Sequence, residues 1–239
     1  MIDLEVVLLA GIAVLVGAVI QGAVGMGVGL VAAPIVTLLD PSLMPGSLLV
    51  AGFFMPLMSL ATEHRHVDPR VGWVFLGRFV GTVPGVLIVA ALPPERLAVG
   101  VGLLTLVAVG LTVHTFVLPV NRSTLTGAGF VSALGATTAS IGGPPLALVY
   151  QRHDPRRLRS TTAVVFVVGS ALSMSALAVA GEMSMRELLT GLAFFPFFGV
   201  GFVLSLPLRR HLRGRVFRYA VLAIVAASAL AVLIRAAAF

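Results

Sequence analysis

The chain contains no cysteine, which excludes both a disulfide framework and thiolate ligands for a metal. It contains no lysine, and only 10% of its residues are charged, against about 25% in an ordinary soluble domain. What replaces the missing polar residues is apolar: 59% of the chain is hydrophobic and the mean hydropathy is +1.10. This composition excludes a soluble domain of ordinary kind and predicts an integral membrane protein.

The apolar runs also lack the groups that an enzyme or a pump would need. They hold scarcely any acids, and their serines have no buried histidine or lysine partner, so nucleophilic catalysis is not indicated. Gly25, Gly27 and Gly29 do not form a nucleotide loop, because no strand precedes them and no lysine follows. His64 and His66 lack further metal ligands nearby. We therefore expect no enzymatic activity, no cofactor and no metal site.

The net charge of +7 comes from arginines alone. Nucleic-acid binding would need a basic face interleaved with aromatic residues, which the sequence does not show. Twelve of the sixteen arginines instead fall in four short loops between apolar runs. Loop arginines set the orientation of membrane helices, so the expected partner is membrane lipid, and no nucleic acid.

The apolar segments have the length of membrane spans, which need about 20 residues. Two regions, 4–39 and 124–150, are apolar but interrupted. Six uninterrupted runs accompany them, at 47–62, 71–92, 97–118, 160–180, 188–206 and 216–234. The sequence predicts an all-α polytopic membrane protein.

The two interrupted regions carry similar breaks. The first is broken by the glycine-rich stretch 21–29 and the second by the stretch 135–145, which ends in Gly142-Gly143-Pro144-Pro145. Hydrocarbon cannot satisfy the backbone groups that such breaks expose, so the breaks must face protein or a wet cavity. A pair of breaks at matching positions of two halves is typical of the substrate site of a secondary transporter.

The arginines also predict how these regions run. If each region crosses the membrane once, the loops divide ten arginines against five. If each is a hairpin that returns to its own side, the division is twelve against three, which the positive-inside rule favours. The 36 residues of the first region give roughly 54 Å of helix, enough to enter and return. We therefore expect hairpins in a multi-pass membrane protein, with both termini outside.

Hairpins make the two halves inverted repeats. Residues 1–120 and 121–239 would each hold one broken-helix hairpin and three transmembrane helices, entering the membrane from opposite sides. Pro84 and Pro196 would break corresponding runs near their middles. Gly77, Gly81 and Gly85 form a small-residue stripe that lets another backbone approach closely.

A site for an anion follows from the breaks. The short helices after them begin near Gly27 and Pro144, and helix N-termini offer free N–H groups and a positive dipole end. Arg78 is the one charge clearly inside an apolar run, and either contacts the substrate or reaches the headgroups. The hydroxyls of the second break either bind substrate or bond to their own helix. The predicted substrate contacts are Gln21, Gly25, Gly27, Gly29, Arg78, Thr137, Thr138, Ser140, Gly142, Gly143 and Pro144.

These same residues resemble the two signatures of the TauE/SafE sulfite-exporter family. The first signature corresponds to Gln21-Gly22-x-x-Gly25-x-Gly27-x-Gly29-Leu30, followed by Ala33-Pro34 and Asp40-Pro41. The second corresponds to Gly142-Gly143-Pro144-Pro145-Leu146, followed by Asp154-Pro155 and Arg159-Ser160-Thr161. The resemblance implies a carrier of small anions such as sulfite, sulfonates, related sulfur oxyanions or small organic acids across the bacterial plasma membrane. The hydroxyls at Thr137-Thr138-x-Ser140 depart from the more glycine-rich pattern, so the substrate does not follow from the resemblance.

Alternating access is the predicted mechanism, with an anion channel or an intramembrane enzyme as the alternatives. Inverted halves and flexible glycine and proline elements suit a carrier better than a channel. The sequence leaves open the anion, the direction of transport, coupling to a proton or another ion, and assembly into a homodimer.

Overall fold

A computed structural model describes residues 4–24, 27–63, 66–113, 118–151, 153–208 and 215–237. Within these ranges the chain forms α-helices, one short 3₁₀ turn at Pro41–Leu43 and no strand. The helices are α1 (Leu4–Val24), α2 (Val28–Leu39), α3 (Gly46–Glu63), α4 (Val71–Ala91), α5 (Pro94–Val113), α6 (Arg122–Ala139), α7 (Gly143–Tyr150), α8 (Pro155–Val179), α9 (Met185–Ala193), α10 (Phe195–Leu208) and α11 (Arg215–Ala237).

Six helical segments of the described chain are long and apolar enough to cross a membrane. They comprise α1, α4, α5, most of α8, the consecutive pair α9–α10 and most of α11. Many large apolar side chains on these helices face outward, including Leu87 and Ile234. An outward apolar face is costly in water and favourable in lipid, so the prediction of an all-α polytopic membrane protein is confirmed.

Both interrupted regions fold as two helices joined by a short break. In the first hairpin (α1 and α2), Gly27 adopts a φ of 151°, which a residue with a Cβ rarely reaches. In the second hairpin (α6 and α7), Ser140 ends α6 in the left-handed region. Pro144 then lies in the first turn of α7, where its missing N–H costs nothing.

Ion pairs at the two ends of the bundle test how the hairpins run. At one end, Asp40 after α2 pairs with Arg186 at the start of α9, at 2.7 Å. At the other end, Asp68 before α4 pairs with Arg157 at the start of α8, at 3.1 Å. Single crossings would place the members of each pair on opposite sides of the membrane. The hairpin arrangement places them together, as observed.

Packing of α3 against α8 gives the same result. Gly52 of α3 lies beside Ser170 of α8, and the N–H of Asp68, just beyond α3, donates to the Thr161 hydroxyl of α8 at 2.9 Å. As α3 advances, its contacts move back along α8, so the two helices run antiparallel. Corresponding helices of inverted halves must run in this way; the superposition of the halves stays a prediction.

The helix pairs are also reciprocal between the halves. Helix α4 of the first half packs on α6 of the second, and α1 of the first half packs on α10 of the second. A Cβ at Gly77 would collide with the backbone of Thr126, and one at Gly201 with the backbone of Leu15. Small residues therefore bring the backbones into direct contact, as the glycine stripe of α4 predicted.

Only one of the two predicted proline breaks, the one near Pro196, is present. Helix α4 continues through Pro84 without interruption from Val71 to Ala91. The run 188–206 is divided at Phe194, and Pro196 lies in the first turn of α10, where no helical donor is lost. The expectation that Pro84 breaks its run is therefore wrong, because the helix tolerates one missing N–H.

Candidate functional site

The breaks of the two hairpins meet near the centre of the bundle. A Cβ at Gly29, in the first turn of α2, would collide with the carbonyl of Ser140 at the end of α6. The Ser140 hydroxyl donates to the carbonyl oxygen of Pro45 at 2.9 Å, which fixes this tip against the segment before α3. The absence of a side chain at Gly29 therefore lets the two tips touch backbone to backbone.

A cavity of about 60 Å³ lies where the tips meet. A cavity needs about 10–15 Å³ to hold one water, so this one has room for a small anion or for a few waters. Eight of the predicted contacts line it: Gln21, Gly27, Gly29, Arg78, Ser140, Gly142, Gly143 and Pro144. The two breaks chosen from the sequence thus lie around one cavity, and their role as a substrate site stays a prediction.

Arg78 projects from α4 into this lining and does not reach the headgroups. Only 1% of its surface is exposed, so the alternative reading, in which it extends to the membrane surface, does not hold. Its Nη1 donates to the hydroxyl of Ser132 at 2.7 Å. That hydroxyl donates in turn to the carbonyl oxygen of Gly142 at 2.6 Å. Ser132 therefore holds the guanidinium to the tip of the second hairpin.

The other edge of the guanidinium has no partner. Arg78 Nε and Nη2 are buried and make no hydrogen bond within the described part of the chain. These two nitrogens form the side of the guanidinium that binds two oxygens of an oxyanion at once. A Cβ at Gly169 of α8 would lie within 3.0 Å of both nitrogens, so only a residue without a side chain lets α8 pack this close to the edge.

Helix starts bring further N–H groups to the cavity. The first-turn N–H groups of a helix have no partner within it. In α2, the amide oxygen of Gln21 accepts the N–H of Val28 at 3.1 Å, which leaves the amide NH₂ of Gln21 as its remaining donor. In α7, prolines occupy positions 144 and 145, so only the N–H groups of Gly142 and Gly143 remain at this end. Both helix starts favour a negative ligand.

The electrostatic balance of the site is positive. Within the described ranges, every acidic residue lies outside the helices or within one turn of a helix end, and none lines the cavity. The guanidinium of Arg78 therefore has no carboxylate partner among the described residues around it. A small anion is the ligand that this arrangement would accept, and a cation is the one that it would reject.

Two predicted contacts, Thr137 and Thr138, are not brought into the lining. The Thr137 hydroxyl bonds to the hydroxyl of Ser173 at 2.8 Å. The Thr138 hydroxyl donates to the carbonyl of Leu134 in its own helix, at 2.8 Å, which is the alternative use considered for it. Neither threonine lines the cavity, so neither hydroxyl is a donor there. Gly25 lies outside the described residues.

Sequence reasoning missed Ser132, which holds Arg78, and Ser170, which lines the cavity. Ser132 precedes the recognised break by one helical turn, and Ser170 of α8 lies in an apolar run that gave no sign of a site. A signal was present, since Gly169 is the one glycine of α8 and adjoins Ser170. A buried arginine needs a small residue opposite it, but which helix faces α4 cannot be read from one sequence.

Comparison with known proteins places the chain in a family. A family model described as Sulfite exporter TauE/SafE matches residues 9–232. No curated protein and no solved structure gives a match. Because the family match covers nearly the whole chain, the protein belongs to the sulfite exporter TauE/SafE family of membrane transporters, as the two sequence signatures indicated.

Proposed function

We propose that this member of the TauE/SafE family carries a small oxyanion across the bacterial plasma membrane by alternating access. Sulfite, a sulfonate, a related sulfur oxyanion or a small organic acid would bind in the cavity between the two hairpin tips. The donors would be the free edge of Arg78, the amide NH₂ of Gln21 and the backbone N–H groups at the starts of α2 and α7.

One observation carries the proposal: a buried arginine presents two unpartnered N–H groups beside a small cavity. An unsatisfied buried donor costs about 1–3 kcal/mol, and more when it is charged. A bound oxyanion removes that cost and neutralises the charge. A halide could neutralise the charge as well, but a single atom cannot match both N–H groups of the fork at full strength.

Two features favour a carrier over a channel. The cavity lining is largely buried, and Arg78 is 1% exposed, so bulk water does not reach the arginine in this conformation. Ion pairs tie the first half to the second at each end of the bundle, one by Asp40 and Arg186 and the other by Asp68 and Arg157. Alternating access requires two such closures, one on each side of the site.

The test is anion binding to the purified protein. Thermal unfolding is measured with sulfite, thiosulfate, a sulfonate, a dicarboxylate or chloride, since a ligand stabilises by mass action. Arg78→Gln removes two charge-assisted hydrogen bonds, each of about 1.5–3 kcal/mol, so the affinity for the best oxyanion should fall about a hundredfold or more.

Thr138→Val is the matched control. It removes a hydroxyl close to the tip that bonds only to its own helix and does not line the cavity, so it should bind as wild type does. A folded Arg78→Gln protein that binds the oxyanion as tightly as wild type would refute the site. Counterflow in proteoliposomes then separates carrier from channel, because only a carrier exchanges labelled for unlabelled anion without net flow.

A further inference from the structure

We propose that this protein is an anion exchanger. It passes through its closed conformation readily with an anion bound and only slowly when the site is empty. This inference rests on the proposed function, because it assumes that the anion binds at Arg78. It goes further by naming what must accompany transport in the opposite direction: a second anion.

The first step concerns the charge of the closed site. A guanidinium is always protonated in proteins, so Arg78 carries its positive charge in every state. Its exposed fraction of 1% shows that bulk water does not reach the guanidinium in the conformation described here. Ser132 is the one hydrogen-bond partner of the guanidinium among the described residues, and a hydroxyl does not neutralise a charge. The empty closed site is therefore a buried, uncompensated cation.

The second step concerns what else could compensate that cation. An acidic residue near Arg78 could pair with it in the empty carrier and release it to the substrate. None of the acidic residues that the structure describes lies in the middle of a helix. Asp68, ahead of α4, is ten residues from Arg78, about 15 Å along a helix, and is itself paired with Arg70 and Arg157. The described part of the chain thus offers no carboxylate near Arg78 to replace the anion.

The third step concerns how this buried charge affects the rate at which the empty carrier passes through the closed state. Alternating access requires the site to pass through a closed state on each crossing. With a monoanion bound, the closed site is neutral and both free N–H groups are satisfied. Without it, the protein must bury an unpaired charge, which slows the empty crossing by about a hundredfold or more. When an anion is available on each side of the membrane, the carrier has an anion bound in both directions of its cycle. Exchange is therefore fast and net transport is slow.

The experiment compares the two fluxes in proteoliposomes. The vesicles contain the full-length protein and radiolabelled sulfite, or the oxyanion that stabilises the protein best in the binding screen. The membrane potential is held at zero with potassium and valinomycin. Efflux of label is followed into buffer with excess unlabelled anion, and into buffer whose only anion is too large to enter the site. We expect efflux into the first buffer to be about a hundredfold faster.

Three outcomes distinguish the claims. Equal fluxes in the two buffers would overturn the exchange mechanism and leave the anion site intact. Failure of every anion to stabilise the protein would overturn the proposed function, and the exchange mechanism with it. A large ratio supports the inference, and this wild-type comparison decides it whether or not any variant folds.

Two arginine variants test the cause of the ratio. Arg78→Gln removes the buried charge, so the ratio of exchange to net flux should fall towards one, even though the affinity is weaker. Arg96→Gln removes an exposed arginine at the start of α5, far from the cavity lining, and should keep the wild-type ratio. A ratio that stays high in a folded, transporting Arg78→Gln protein, or that falls equally in Arg96→Gln, would overturn the role of Arg78.

Discussion

Replacing Gly169 by alanine tests the arginine site without substituting the arginine itself. Gly169 lies on α8, and Arg78 lies on α4. The added methyl would lie within 3.0 Å of Nε, Cζ and Nη2 of the guanidinium, whereas ordinary contacts of a Cβ begin at 3.4 Å. Either α8 or the guanidinium must therefore move, and the side chain is the more flexible of the two.

The size of the effect follows from that geometry. The guanidinium must withdraw by about 1 Å, and the methyl occupies the space beside the edge that would bind an oxyanion. The bond from Nη1 to Ser132, now 2.7 Å, would lengthen past the usual range of about 2.7–3.2 Å. Loss of one charge-assisted bond to the ligand costs about 1.5–3 kcal/mol, so affinity should fall about ten- to a hundredfold.

The assay is oxyanion binding by calorimetry or thermal shift, with Gly100→Ala as the control. Gly100 is also a glycine in a membrane helix, but a Cβ added there meets nothing within 4 Å. Both variants gain about the same helix propensity, so a difference in binding between them isolates the contact with Arg78. A folded Gly169→Ala protein with wild-type affinity would show that the free edge of Arg78 does not bind the anion.

Two further predictions concern topology and pH. Single cysteines at Ser123 and Ser184 should react with an impermeant thiol reagent from opposite sides, with Ser123 cytoplasmic; labelling from one side would contradict the hairpin arrangement. Asp68→Asn should lower the unfolding free energy by about 1–3 kcal/mol, because the buried carboxylate accepts hydrogen bonds from Arg70 and pairs with Arg157. Burial raises the pKa of Asp68, but the hydrogen bonds of Arg70 and the charge of Arg157 outweigh it, so its pKa is lowered. That stabilisation is complete above the unfolded pKa of about 3.9 and is lost as pH falls through the folded value, so the melting difference between wild type and Asp68→Asn should shrink below about pH 4. A difference that stays constant down to about pH 3 would contradict this assignment.

Much of the fold could be predicted because the local composition of a sequence identifies its membrane helices. The apolar runs predicted the helices. The glycine and proline breaks predicted where two short helices start, and α2 does start next to Gly27 and α7 at Gly143. The arginine count favoured hairpins over single crossings, in agreement with the ion pair between Asp40 and Arg186. Each of these features depends on a short stretch of chain, so one sequence contains it.

The details of the site could not be predicted because they depend on which helices face each other. The hydroxyls of Thr137 and Thr138 looked like donors to a ligand, but one faces Ser173 and the other bonds within its own helix. The hydroxyl that does hold the arginine belongs to Ser132, which lies ahead of the break. A threonine and a serine on one helix offer the same chemistry, and only the packing of α4 on α6 decides between them.

That packing also determines which parts could move during transport. Helices α4 and α6 touch backbone to backbone along Gly77 and Gly81, and α1 and α10 do so at Gly201, so sliding within either pair would cause collisions. Each rigid pair therefore combines helices from both halves of the sequence. Arg78 and Ser132 lie in the same pair and would keep their contact throughout the cycle. The donors of the first hairpin lie against the other pair, so movement between the pairs would change the distance from Arg78 to that hairpin. An anion held by both would link them in the closed state, and an empty site would leave the two sets of positive donors facing each other.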